Sequence, residues 1–218
     1  MPSPDKSLQW VLPPRQARTQ RTLERLIDAA ELLLRDKPFE DIPVSEIVLR
    51  ADTSVAAFYR RFKDKNGLLH ALHERFCEEA IATANDALEP QRWEGAGIRE
   101  ILDVVIPFLI EVLRQRETLQ RAVYRIALSD ESMLERSFRL RRHVLKGLSD
   151  LLLDRRNEIR HPDPSLAISF ALVQVGALLT ESYVTGMGDH SLLPSSDQQV
   201  AEELVQACCS YLFSSRYQ

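Results

Sequence analysis

The chain has 218 residues, 44% of them apolar and 28% charged, and carries 28 Lys and Arg against 32 Asp and Glu for a net charge of −4. That length and apolar share allow one or two domains with a sizeable core and exclude a disordered or fibrous chain. No run approaches a membrane span, the start MPSPDKSLQWVLPPR lacks an apolar core of signal-peptide length, and Cys77, Cys208 and Cys209 follow no disulfide framework, so a cytoplasmic protein with reduced thiols and no membrane association is expected.

Residues 1–17, rich in proline and polar groups, read as a flexible arm. A first helix follows with Leu23, Leu26, Ile27, Ala30, Leu33 and Leu34 on its inner face, and Phe39 plugs a small core. Residues 44–65, VSEIVLRADTSVAAFYRRFKDK, have the layout of a helix-turn-helix. Val44, Ile47, Val48 and Ala51 fall at helical spacing. With Pro43 at the cap position, Ile42 and Ile47 can pack as a hydrophobic staple, and Glu46 can reach back toward the first free amides. Asp52, Thr53 and Ser54 break that helix, and Ser54 is suited to cap the next one. In that second helix Phe58 and Phe62 share one side. The other side holds Val55, Ala56, Ala57, Arg60 and Arg61, small or basic groups that let a double helix approach, and Lys63 and Lys65 extend the positive end.

A fourth helix is expected from about residue 64 to 88, carrying Leu69, Leu72, Phe76, Ala80 and Ile81 inward, and long enough to join two domains. Pro90 and the stretch 94–97 mark a boundary. The rest shows no strand pattern. Helix five covers roughly 98–113, with a kink or break expected at Pro107. Helix six covers about 117–128, and helix seven about 131–157. Asp163 followed by Pro164 starts helix eight, an apolar helix that reaches Thr185 and is closed by Gly186 and Gly188. Helix nine starts after Asp197. Cys208 and Cys209, adjacent on it, would point in different directions, one to the core and one outward.

The motif from Leu23, Ala29, Ala30 and Leu33 through Phe39, Val44, Ile47, Ala51, Ser54, Phe58, Tyr59, Phe62, Lys65 and Leu68 resembles the N-terminal signature of the TetR family of bacterial transcriptional regulators. The match covers about residues 18–75. There are three departures from the family pattern, at five positions. Pro43 replaces a hydroxyl residue, Asp52 replaces the glycine of the turn, and Val55, Ala56 and Ala57 replace polar side chains that read bases. The last three can offer only apolar contact, as to thymine methyl groups.

The resemblance implies an all-α fold of about nine helices. Residues 18–75 would form a three-helix helix-turn-helix domain and residues 76–218 a helical ligand-binding and dimerisation domain. Ser54, Tyr59 and Lys65 would anchor phosphates, Val55, Ala56, Ala57 and Arg60 would face the major groove, and Arg18 and Arg21 would add charge at the rim. The positive charge sits where this requires it, because Lys6, Arg15, Arg18 and Arg21 precede the motif and Arg50, Arg60, Arg61, Lys63 and Lys65 accompany it.

The last two long helices would pair with those of a second subunit, with Gly176 near the crossing, and two half-sites of a double-stranded DNA operator would bind the homodimer. A pocket for an apolar or amphipathic effector is implied among helices five to eight, with Phe108, Tyr124, Phe138, His143, Phe170, Gln174 and Tyr183 as candidate lining. The expected function is a ligand-responsive repressor. The alternative is an architectural or protein-interaction factor on the same scaffold, without an inducer. His70, His73, Glu74 and Cys77 occupy consecutive turns and share a face, but chance, surface placement or core packing explains them better than a metal does. No nucleophile elbow, phosphate loop, dinucleotide fingerprint or zinc-protease motif occurs, so neither catalysis nor a cofactor is expected.

Overall fold

The computed structural model describes residues 17–185, 194 and 196–214, with side chains from residue 20 onward. Gly186 and Gly188, expected to close helix eight, and most of the N-terminal arm lie outside the described residues. Among the described residues the regular structure is entirely helical, and the chain divides into two compact units.

The first unit contains α1 (Ala17–Leu33), a 3₁₀ turn (Phe39–Asp41), α2 (Val44–Arg50), α3 (Val55–Tyr59) and the first two thirds of α4 (Lys65–Ala87). Its core follows the apolar periodicity. Leu26, Ala30, Phe39, Ile42, Ile47, Phe58, Phe62, Leu68, Leu69 and Leu72 are all buried, and each large side chain among them contributes about 1.5–3 kcal/mol. Ile42 and Ile47 are both fully buried, as a staple across the start of α2 requires. Glu46 does not reach back, because Pro43 has no N–H for it to bind; its carboxylate pairs with Lys37 at 2.6 Å instead.

Thr118–Arg136 also belongs to this unit, although a boundary near residue 75 would assign it to the C-terminal domain. It comprises nearly all of α6 (Glu117–Ala127) and the start of α7 (Glu131–Leu153). Asp130 is the joint. One carboxylate oxygen accepts from the Met133 amide at 3.1 Å and from the Ser132 hydroxyl, and the other meets Nε2 of buried His70 at 3.0 Å. Arg136 lies 3.4 Å from Nδ1 of His73, which is also buried.

Burial, then the Arg136 charge and then His70, push the His73 imidazole down to about 3. The folded value lies below the unfolded one of about 6.5, so the unfolded state binds the extra proton. The contribution is whole above about pH 6.5 and is lost as pH falls, at up to about 1.4 kcal/mol per pH unit. Urea unfolding followed by circular dichroism from about pH 7 to about pH 4 should show this slope, and His73→Phe should flatten it. An equally steep limb in the variant would place the acid sensitivity elsewhere.

The second unit contains α5 (Ile98–Gln115), the remainder of α7, α8 (Pro164–Leu179) with a π-helical extension (Thr180–Thr185), and α9 (Asp197–Phe213). Asp163 caps α8 by accepting from the Leu166 amide at 3.0 Å, with Pro164 in the first helical turn, as the sequence predicts. Ser196 caps α9. Helix α5 runs without a break through Pro107, which sits on its exposed side, so the carbonyl that loses its donor faces water. The core joins Ile101, Leu102 and Ile106 of α5 to Leu148 and Leu152 of α7, Ile168, Leu172 and Val175 of α8, and Leu204 and Leu212 of α9.

Three sequence expectations are redirected here. A Cβ on Gly176 would lie 3.7 Å from Leu145 and Arg141, so this glycine faces α7 in its own unit rather than an external crossing. Cys208 and Cys209 are both buried, because the inner face of α9 is broader than a single stripe, and burial raises both thiols, Cys208 to about 11. Neither is poised as a reactive thiolate. The third concerns α8, which by length and composition alone could pass for a membrane span. Its inner side is part of this core, while Leu166, Phe170 and Val173 form an apolar stripe on its exposed side.

Candidate nucleic-acid interface

Helix α3 is short, and its start is well determined. The Ser54 hydroxyl accepts from the Ala57 amide at 3.1 Å, which satisfies one of the orphan donors of the first turn. The other end is held by the Phe58 ring, which packs edge-on against Tyr59 and obliquely on Phe62, each at 5.2 Å between centroids. Ser54, Val55, Ala56, Tyr59 and Arg60 are exposed, and with Lys63 they form one surface.

Ala57 does not belong to that surface. It is buried beside Phe58, and Arg61 is buried one turn further on. The inner face of this segment therefore spans positions 57, 58, 61 and 62, wider than the two phenylalanines alone indicate, and what remains to meet a groove is Val55 and Ala56, with Tyr59 and Arg60 as polar reach. Arg21 is exposed on α1. Arg18 begins the same helix, but its side chain lies outside the described residues.

Lys65, assigned to a phosphate from the motif, is turned toward its own chain. Its Nζ donates to the Glu40 carbonyl at 3.0 Å and sits 4.5 Å from the centroid of the Phe39 ring. The Glu40 carboxylate in turn pairs with Arg125 of α6. Lys65 thus fastens the Phe39–Asp41 turn to the start of α4. Sequence reading missed Arg25, which reaches from α1 to the α2–α3 turn, donating to both the carbonyl and the carboxylate of Asp52. The signal available was the acidic residue standing where the turn favours glycine.

The seven proposed pocket residues are divided between the two units. In the second unit Phe108, Phe138, His143, Phe170 and Gln174 are exposed, with His143 bonded to Asn85 at 2.7 Å. Tyr183 is buried, and its hydroxyl donates to Asp197 at 2.8 Å, a carboxylate that Arg114 grips with two nitrogens. That arrangement, led by the Arg114 hydrogen bond, holds the Asp197 carboxyl low, while burial pushes the phenol up to about 12. Tyr124 is half-buried in the first unit. An open depression of about 420 Å³ lies between residues 90–97 and 154–158, and none of the seven lines it.

The sequence pattern of the family described as bacterial regulatory proteins, tetR family, matches residues 26–72, the segment that builds α1 to α3 and the start of α4. The Bacillus subtilis protein YttP, classed among HTH-type transcriptional regulators, is 25% identical over 166 residues, which is 75% of this chain and 77% of YttP. A Mesorhizobium loti protein assigned to the TetR family superposes with a TM-score of 0.67 at 19% identity, covering 89% of this chain and 98% of its own. The fatty acid degradation regulator FadR of Bacillus halodurans superposes with a TM-score of 0.58 at 17% identity, covering 90% and 97%. Residues 26–72 thus carry the sequence pattern of the TetR family of transcriptional regulators, and the chain as a whole shares its fold with solved structures assigned to that family.

Proposed function

We propose that this regulator is a cytoplasmic homodimeric repressor that leaves its operator when its second unit binds an apolar or amphipathic small molecule. The observation that carries the DNA-binding half is the exposed surface of Ser54, Val55, Ala56, Tyr59 and Arg60, presented on a capped helix whose inner face buries Ala57 and Phe58. Phosphate contacts from Tyr59, Arg60 and neighbouring lysines would supply most of the affinity, and apolar contact from Val55 and Ala56 would supply part of the selectivity. The stripe of Leu166, Phe170 and Val173 on α8 supports dimerisation, since apolar side chains in a row on a helix gain by being covered.

Release by a ligand needs a difference in affinity between the DNA-binding and released states, and the ligand weakens DNA binding by the same factor that DNA weakens ligand binding. FadR is by its name a regulator of fatty acid degradation, which supports including fatty acids among the compounds tried. The experiment is thermal-shift screening of a metabolite library, followed by titration of each hit against a protein–DNA complex formed with a duplex recovered from a randomised pool. At least one stabilising compound should release the duplex. Stabilising compounds that all leave duplex affinity unchanged would favour the second reading, a DNA-binding factor without an inducer. One observation favours that reading already: Tyr183 is buried and engaged by Asp197 rather than lining an open space.

A further inference from the structure

Asp52 is the one non-glycine residue with positive φ, +46°, among the described residues. It follows α2 in a left-handed cap, where the Asp52 amide donates to the Leu49 carbonyl at 3.1 Å and the Thr53 amide donates to the Val48 carbonyl at 2.9 Å. Glycine enters this conformation freely and aspartate does so at a cost. The carboxylate is also almost wholly exposed and stands two residues before the cap of α3, on the side of the molecule that would approach phosphates.

Arg25 answers both problems with one nitrogen. Its Nη2 donates to the Asp52 carbonyl at 2.7 Å and to Oδ2 of the same residue at 2.8 Å. The first bond satisfies a carbonyl left over at the helix end, and the second pins the side chain and cancels its charge. Because the bonds link α1 to the turn, they fix the direction in which α3 leaves it.

We propose that Arg25 is a positioning residue for DNA binding that acts through Asp52, holding the α2–α3 turn in its left-handed form and masking the carboxylate this chain carries there. The proposal rests on α3 being the DNA-contacting helix. An ion pair this exposed adds little to global stability. Its loss therefore registers in the approach of DNA rather than in the melting temperature: without Arg25 a bare carboxylate faces the phosphates and the turn is released.

A direct contact between Arg25 and a phosphate would also make Arg25→Ala harmful, and the Asp52→Gly background separates the two. The duplex recovered from a randomised pool by the full-length wild type is the probe, with an unrelated duplex alongside. Arg25→Ala should weaken binding to both about five- to tenfold, with the melting temperature moved by no more than about 2 °C. Asp52→Gly alone should bind at least as tightly as the wild type, and Arg25→Ala should then cost nothing in that background. Hydrogen exchange at the Thr53 amide gives a readout without DNA: faster in Arg25→Ala, restored in the double variant.

An equal loss of affinity from Arg25→Ala in both backgrounds would overturn the positioning role in favour of a phosphate contact. No loss in either would overturn it as well. A wild type that recovers no duplex from the pool would instead remove the DNA-binding reading, and this proposal with it.

Discussion

Ala57→Glu should leave the first unit unfolded, whereas Ala56→Glu, one residue earlier, should leave it folded and unable to bind DNA. Ala57 is buried against the Phe58 and Phe62 side of α3, so a carboxylate there loses its water without gaining a partner. Buried unpaired charge is among the few single changes that cost more than about 4 kcal/mol, a large share of the stability of a domain this size. Ala56 is exposed, and a charge on it remains solvated in the free protein. Once DNA approaches, that charge meets phosphates at close range, where like-charge juxtaposition costs several kcal/mol, on the order of a hundredfold or more in affinity. Circular dichroism melts and duplex titrations decide the matter together. A wild-type melting curve for Ala57→Glu would show that the inner face of α3 is assigned wrongly, and unchanged duplex affinity for Ala56→Glu would show the same of its outer face.

Phe170→Glu is expected to convert a dimer into a monomer without unfolding it. The Phe170 ring is half exposed and flanked along α8 by Leu166 and Val173, while its centroid lies 5.6 Å from that of the Tyr211 ring. Aromatic anchors at the centre of an interface carry about 2–4 kcal/mol each, and a carboxylate pressed against the same stripe of a second subunit adds desolvation to that loss. Sedimentation velocity at micromolar concentration should show the wild type as a dimer and the variant at half that mass. Duplex affinity should fall as well, since a single helix-turn-helix reaches only one half-site. A wild type that sediments as a monomer would remove this use of the stripe. Gly176→Leu, by contrast, should crowd Leu145 and Arg141 on α7 and lower stability by about 1–3 kcal/mol, so it probes internal packing and not association.

The features legible from sequence are those fixed within a few residues. Ser54 and Asp163 cap the helices they were expected to cap, because a short oxygen side chain before an apolar-periodic run has one nearby use. The burial of Ile42 and Ile47 and the stripe of α1 are equally local. What sequence did not reveal depends on neighbours that are distant in the chain. The inward turn of Ala57 comes from a helix only five residues long, over which a period of 3.6 leaves the orientation of each position open. Lys65 is engaged by Glu40, Arg25 by Asp52 and Gly176 by Leu145, and none of these partners lies within one helical turn of its residue. That most of the pocket candidates lie exposed has a related reason: helical spacing names a face but not what that face meets.

The membership of Thr118–Arg136 in the first unit bears on how this protein emerges from the ribosome. The small apolar core between α1 and α4 can collapse once about residue 75 has cleared the exit tunnel, but the face of α4 that carries His70 and His73 must wait for Asp130 and Arg136. Two imidazoles that end up almost dry therefore spend part of synthesis in water, free to titrate near neutral pH. A fusion that borrows only the first 75 residues would keep them in that nascent condition permanently, whereas a graft that also supplies the later segment would carry its own cover.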